Sequence, residues 1–193
     1  MKRILLLFGL ITSFVIGYGQ GSSLSEPNLE NFKILAEKRA NQFGVYISKI
    51  ADKSVSLENK EIAIKQACDL FISDTVRIQI SYCPASGGSS VYSRTLIKYL
   101  RRLSMLNYDK VKIEWVECVM VGDLKKGDDG NYYGIISFIQ RFTGVKGEYT
   151  YVDETTKHTE VVLKPYMKHN SQGEENWGWD VYLSNVNIKE PCS

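Results

Sequence analysis

Residues 110–143, KVKIEWVECVMVGDLKKGDDGNYYGIISFIQRFT, decide the fold class. From Lys110 to Val121, valine, isoleucine and tryptophan alternate with charged or small side chains. That period of two marks a strand with one buried face. Lys125 to Gly130 is a polar turn ending in Asp-Gly, and Asn131 to Thr143 is the returning arm of a long hairpin. On that arm Ile136, Phe138, Gln140 and Phe142 share one face, while Ile135, Ser137 and Ile139 share the other.

Toward the C-terminus the chain stays strand-rich. A turn at Gly144–Gly147 leads into Glu148 to Val152, which pairs briefly. Lys157 to Lys168 and Trp177 to Ile188 then form a second hairpin across the polar loop His169 to Asn176. Toward the N-terminus the period changes. Leu29, Phe32, Leu35, Ala36, Phe43, Ile47 and Ile50 recur at helical spacing after Pro27, which suits a first helical turn. Gly44 is the weak point of that helix, costing up to about 1 kcal/mol relative to alanine, yet the stripe continues in phase to Ala51. Ser54 or Ser56 caps a second helix to about Ser73, with Ala63, Ile64, Ala67, Cys68, Leu70 and Phe71 inward. Asp74 to Tyr82 alternates as a strand. After the small-residue loop Pro84 to Ser90, Ser89 or Ser90 caps a third helix with the stripe Tyr92, Leu96, Tyr99, Leu100, Leu103 and Leu106.

The order is α-α-β-α-β-β-β-β. Helices early and long strands late predict an α+β domain, in which three helices pack on one curved, largely antiparallel sheet of about five or six strands. This order, spanning about Asn28 to Ile188, resembles the nuclear-transport-factor-2-like, or cystatin-like, cone superfamily. The resemblance lies in element order and length, with no diagnostic motif. It implies an inner sheet face that lines a cone, a homodimer through the open sheet face, and functions from isomerases, dehydratases and hydrolases to non-catalytic binding and assembly modules. Fold alone does not choose among them.

An inner face made this way puts Gln140 between Phe138 and Phe142, an isolated hydrogen-bonding group in an apolar setting, as a ligand pocket requires. Trp115, Trp177 and Trp179 are candidate aromatic walls; the competing reading is that they fill the core or cover the sheet. An acid or base for catalysis would come from Tyr46, Asp52 or Asp69 on the helices, or Glu114, Glu117, Asp180 and His158 on the strands. No spacing among them forms a constellation. Gly-x-Ser-x-Gly is absent, and Gly87-Gly88-Ser89-Ser90 lacks the spacing and lysine of a P-loop. Asp123, Asp128, Asp129 and Asn131 lack the order of a calcium loop and read as a solvated hairpin tip. Arg94, Lys98, Arg101 and Arg102 form a basic stripe on the third helix, which a solvated face explains. Neither a metal nor a cofactor is implied.

The chain opens with Lys2-Arg3, an apolar run Ile4–Ile16 and Gly17-Tyr18-Gly19, the three parts of a signal peptide cut between Gly19 and Gln20. The apolar run is shorter than the roughly 20 residues that span a bilayer, and no later segment approaches that length. Residues 1–19 are therefore read as a leader, 20–27 as a flexible connection and 28–193 as one domain, exported to the periplasm or beyond the cell. The whole sequence has 24 basic and 22 acidic residues; removing Lys2 and Arg3 leaves them equal. Without a cationic surplus to displace phosphate counterions, nucleic-acid binding is disfavoured. Cys68, Cys83, Cys118 and Cys192 contain no Cys-x-x-Cys. In an exported chain they are disulfide candidates of three possible connectivities, with buried thiols as the alternative. Together these features point to an exported binding or assembly module, its partner a small apolar ligand or a protein. The alternative is a small-molecule enzyme with its site inside the cone.

Overall fold

The computed structural model describes residues 24–82, 88–169 and 175–190. The leader with its cleavage site, Cys83, Cys192 and most of the Pro84–Ser90 and His169–Asn176 loops lie outside the described residues. Ten elements follow in order: α1 (Glu26–Ala51), α2 (Leu57–Cys68), β1 (Arg77–Tyr82), β2 (Ser90–Thr95), α3 (Leu96–Ser104), β3 (Lys110–Met120), β4 (Lys125–Lys126), β5 (Tyr132–Lys146), β6 (Tyr149–His169) and β7 (Glu175–Glu190). No helix among the described residues is long and apolar enough to cross a membrane.

The fold is α+β. One seven-stranded sheet runs in the order β2-β1-β7-β6-β5-β3, with the short β4 paired to β5. Every pairing is antiparallel except β1 against β7, which meet at Ile78 and Val186. The sheet bends around α1, which packs on both β3 and β7 although two strands separate them. In a flat sheet three inter-strand steps would hold those strands roughly 14 Å apart. This gives the cone-like arrangement expected from the element order.

Helix α1 buries Ala36, Ala40, Phe43, Ile47, Ile50 and Ala51, the face its periodicity marks. Gly44 does not break it. A Cβ there would stand 2.9 Å from the Cβ of Trp115, so glycine lets the helix backbone lie directly on β3. Ser56 caps α2 by accepting from the Asn59 amide at 3.4 Å. Helix α2 ends at Cys68 rather than near Ser73: Leu70 and Phe71, read as part of its inward stripe, lie beyond it alongside β7, where Leu70 O accepts from Leu183 N and Ile72 N donates to Leu183 O, both at 2.9 Å.

Two further elements differ from expectation. Residues 90–95 are a strand rather than the first turns of the third helix: β2 pairs antiparallel with β1 from Tyr82↔Ser90 to Arg77↔Thr95. The helix begins at Leu96, whose amide donates to Val76 O. Tyr92 stands one helical repeat before Leu96, so it continues the stripe in sequence while its backbone completes a hairpin. Arg94 consequently leaves the helical basic stripe; its guanidinium lies 5.3 Å over the Tyr92 ring. The second difference is β6, which runs unbroken for 21 residues and joins the two segments that the sequence separates at 153–156. Gly147, at φ 59°, takes the first position of the tight turn between β5 and β6, where a two-residue hairpin favours glycine.

Candidate functional site

The β5–β6 turn fixes everything beyond it. Lys146 pairs with Tyr149, and register then places Asp153 opposite Phe142, Thr155 opposite Gln140, Lys157 opposite Phe138 and Thr159 opposite Ile136. Each pair shares a face, so the inner face of β5 brings four polar residues of β6 into the cone. Thr155, Lys157 and Thr159 are buried at 2%, 1% and 0% exposure.

Lys157 organises the centre of the site. Its Nζ donates to Gln140 Oε1 at 3.3 Å and to the backbone oxygen of Gln79 at 3.2 Å. The same Gln140 oxygen accepts from Trp115 Nε1 at 3.2 Å and from the Tyr99 hydroxyl at 3.4 Å. Three donors thus converge on one amide oxygen. The hydroxyls of Ser81 on β1 and Thr155 on β6, strands with β7 between them in the sheet order, bond each other at 3.1 Å. No carboxylate forms an ion pair with Lys157 among the described residues. Burial lowers its pKa to about 8, partly offset by the more distant charge of Asp153. Burial also raises the Tyr99 phenol well above its ordinary value, which keeps it protonated and donating. The Asp153 carboxyl is raised as well, again chiefly by desolvation, and its buried Oδ1 has no hydrogen-bond partner in the protein.

These groups face a cavity of about 450 Å³ between the β1–β2 hairpin, α3 and the inner sheet face. That volume lies within the range of small-molecule pockets. Buried Tyr99, Leu103, Ile113, Thr155 and Lys157 form its deep side, and exposed Tyr82, Tyr92, Tyr151 and Arg102 stand at the mouth. The walls also include Phe142 and Tyr108, whose rings meet edge-on at 5.5 Å.

Of the residues singled out in the sequence, Gln140 and Phe142 line this cavity. Trp115 and Phe138 stand behind it, stacked at 3.6 Å, with Trp115 also edge-on to Phe43. Trp115 therefore buttresses Gln140 through its indole N–H. Trp179 meets Tyr132 elsewhere on the sheet at 5.4 Å, and Trp177 is 68% exposed opposite Met167; neither reaches the cavity. Cys68 and Cys118 are half-buried free thiols. His158 points to the opposite sheet face from Lys157, its buried Nε2 without a partner. No three His, Cys, Asp or Glu side chains converge for a metal among the described residues.

Lys157, Tyr99, Thr155 and Asp153 were not singled out as site residues by sequence. Residues 153–159, DETTKHT, are polar throughout, so alternation gives no contrast between faces. The signal available was register: counting outward from a tight turn at Gly147–Glu148 sets Lys157 against Phe138.

No protein-family model matches the chain, and no curated protein does. Among solved structures it is similar to ActVI-ORFA from Streptomyces coelicolor, 11% identical, with 81% of this chain and 96% of that chain covered at a TM-score of 0.40. A likeness of that degree supports no functional argument.

Proposed function

We propose that this chain is an exported small-molecule-binding module of the cone type, holding its ligand between α3, the β1–β2 hairpin and the inner sheet face. The observation that carries this reading is the buried Lys157 at the deep side of an open, aromatic-walled cavity. A buried amine without a paired carboxylate opposes folding, and an apolar side chain of similar size would pack there at lower cost. Its presence makes sense where a ligand uses it. The walls fit a flat ring system. The third N–H of the Lys157 ammonium, beyond those given to Gln140 and Gln79, suits an acceptor at one end of such a ligand, and the unpartnered oxygen of Asp153 suits a hydroxyl at the other.

Calorimetric titration with naphthylmethanol tests this. Saturable binding to the wild type, weakened at least tenfold by Leu106→Trp, which fills the cavity from its wall, is the expected result. Equal binding by both proteins, or none by either, overturns it. Export is tested separately by sequencing the mature N-terminus, expected at Gln20.

A second reading, docking of a protein or another copy on the outer sheet face, draws on Val119, Val121, Tyr133 and Ile135, which lie together there at 41–53% exposure. Sedimentation of the wild type beside Ile135→Lys separates the two: a dimer abolished by the charge supports docking, and identical monomers refute a self-association role.

A further inference from the structure

An amine buried this way is not limited to hydrogen bonding. Nζ of Lys157 has two acceptors, Gln140 Oε1 and Gln79 O, at 3.3 and 3.2 Å. A neutral amine has two N–H bonds, and these two acceptors satisfy both. The remaining tetrahedral position carries the lone pair, and Lys157 borders the cavity. The Tyr99 hydroxyl shares the same Gln140 oxygen, which places a proton donor beside the amine.

We infer that Lys157 is a carbonyl-capturing nucleophile, forming a reversible imine with aldehydes or ketones of aromatic ligands that enter the cavity. This deepens the binding reading and rests on it. The carbonyl carbon bonds to Nζ to give a carbinolamine, and the Tyr99 O–H turns from Gln140 to donate to the new oxygen. That oxygen then leaves as water with the two hydrogens the amine gives up, and a C=N bond replaces C=O. No oxidant, reductant or metal is needed, and water reverses the step.

Three features support the inference. The first is that no carboxylate pairs with Lys157 among the described residues, since an ion pair would hold the amine protonated. The second is the pair of neutral oxygen acceptors, which orient a neutral amine as readily as an ammonium. The third is titration: near pKa 8 the amine is neutral in roughly one molecule in ten at pH 7, against roughly one in 2,500 for a solvated lysine.

The test uses the full mature chain with naphthaldehyde and cyanoborohydride at pH 7. The hydride reduces any imine to a stable secondary amine, and peptide mapping locates it. Lys157 should be modified at least tenfold faster than any exposed lysine. Excess naphthylmethanol, which has the same rings and no carbonyl, should protect it. Lys157→Met should lose the fast modification while its circular dichroism stays that of the wild type. Lys157 left unmodified, or modified no faster than surface lysines, overturns the imine. Naphthylmethanol binding in that same preparation shows whether the pocket reading survives or falls with it. Should Lys157→Met fail to fold, protection by naphthylmethanol in the wild type still decides: fast, unprotected labelling overturns capture inside the cavity.

Discussion

Lys157 and Gln140 lie on adjacent strands of the inner sheet face, one residue out of direct register on that face, and the ammonium-bearing side chain donates to the amide oxygen at 3.3 Å. Trp115 and Tyr99 donate to the same atom. One neutral oxygen thus holds three donors, and the cation among them has no ion-pair partner among the described residues. The arrangement orders the site without neutralising it.

The cost of that arrangement has a definite pH dependence. The folded Lys157 amine titrates near 8 and the unfolded one near 10.5. Between those values the unfolded chain binds more protons, so stability rises with pH there. Below about pH 8 the penalty is present in full, on the order of 3 kcal/mol. Lys157→Met should therefore stabilise the fold at pH 7 by about 1–3 kcal/mol, with the gain shrinking as pH rises from 8 to 10.5. Urea melts of both proteins at pH 7 and pH 10 check this. A variant less stable than the wild type at pH 7 contradicts it.

Much of the architecture was legible because periodicity reports buried faces. The α1 stripe, the β3–β5 hairpin and the polar interruption at Gln140 all stand out by contrast with their neighbours. Where contrast fails, so does the reading. Tyr92 and Leu96 stand four apart and mimic a helix, although the backbone of 90–95 pairs with β1. Residues 153–159 offer no apolar reference by which to assign Lys157 a face. Trp177 and Trp179 are aromatic and prominent, but their place in the sheet sets them away from the cavity. Position in the sheet is a long-range property, and a local window does not contain it.

Gly44 provides a test of helix–sheet contact against helix propensity. Alanine is favoured over glycine within a helix by up to about 1 kcal/mol. Here its Cβ would stand 2.9 Å from Trp115 Cβ and 3.2 Å from Cγ. These atoms lie at the base of a side chain stacked on Phe138 and do not yield freely. Overpacking should prevail, so Gly44→Ala is expected to destabilise by about 1–3 kcal/mol. Because Trp115 anchors Gln140, the variant should also bind naphthylmethanol more weakly. Thermal melts and the same calorimetric titration measure both effects.

Glu117 sits in the left-handed region at φ 56°, where β3 shifts register against β5 between Val116 and Val119. The bulge is anchored from the helix side, since the Met120 amide donates to Glu37 Oε1 at 2.8 Å. A non-glycine residue held there costs of order 1–3 kcal/mol. Glycine removes that strain at an entropic cost of about 0.5–1 kcal/mol. Glu117→Gly should raise stability by up to about 1 kcal/mol, read as a higher urea midpoint at unchanged slope. Glu117→Val, β-branched and poorly suited to positive φ, should lower it. The opposite order for the two variants would show that the bulge is not strained.

The thiols give the last prediction. Burial pushes the Cys118 thiol up to about 11, with the Glu37 charge adding to the effect, and burial likewise raises Cys68. The thiolate is the reactive form, and an unperturbed cysteine titrates near 8.5. At pH 8 a thiol at 11 is ionised in roughly one molecule in a thousand, against about one in four for a free cysteine. Cys118 should therefore react with an aromatic disulfide reagent at least a hundredfold more slowly in the native protein than in urea. Because both thiols are free in the fold, denaturation without reductant should expose Cys68 and Cys118 for labelling, located by peptide mapping. A disulfide found at either position would overturn this, because the folded chain would then carry a crosslink that its present geometry does not hold.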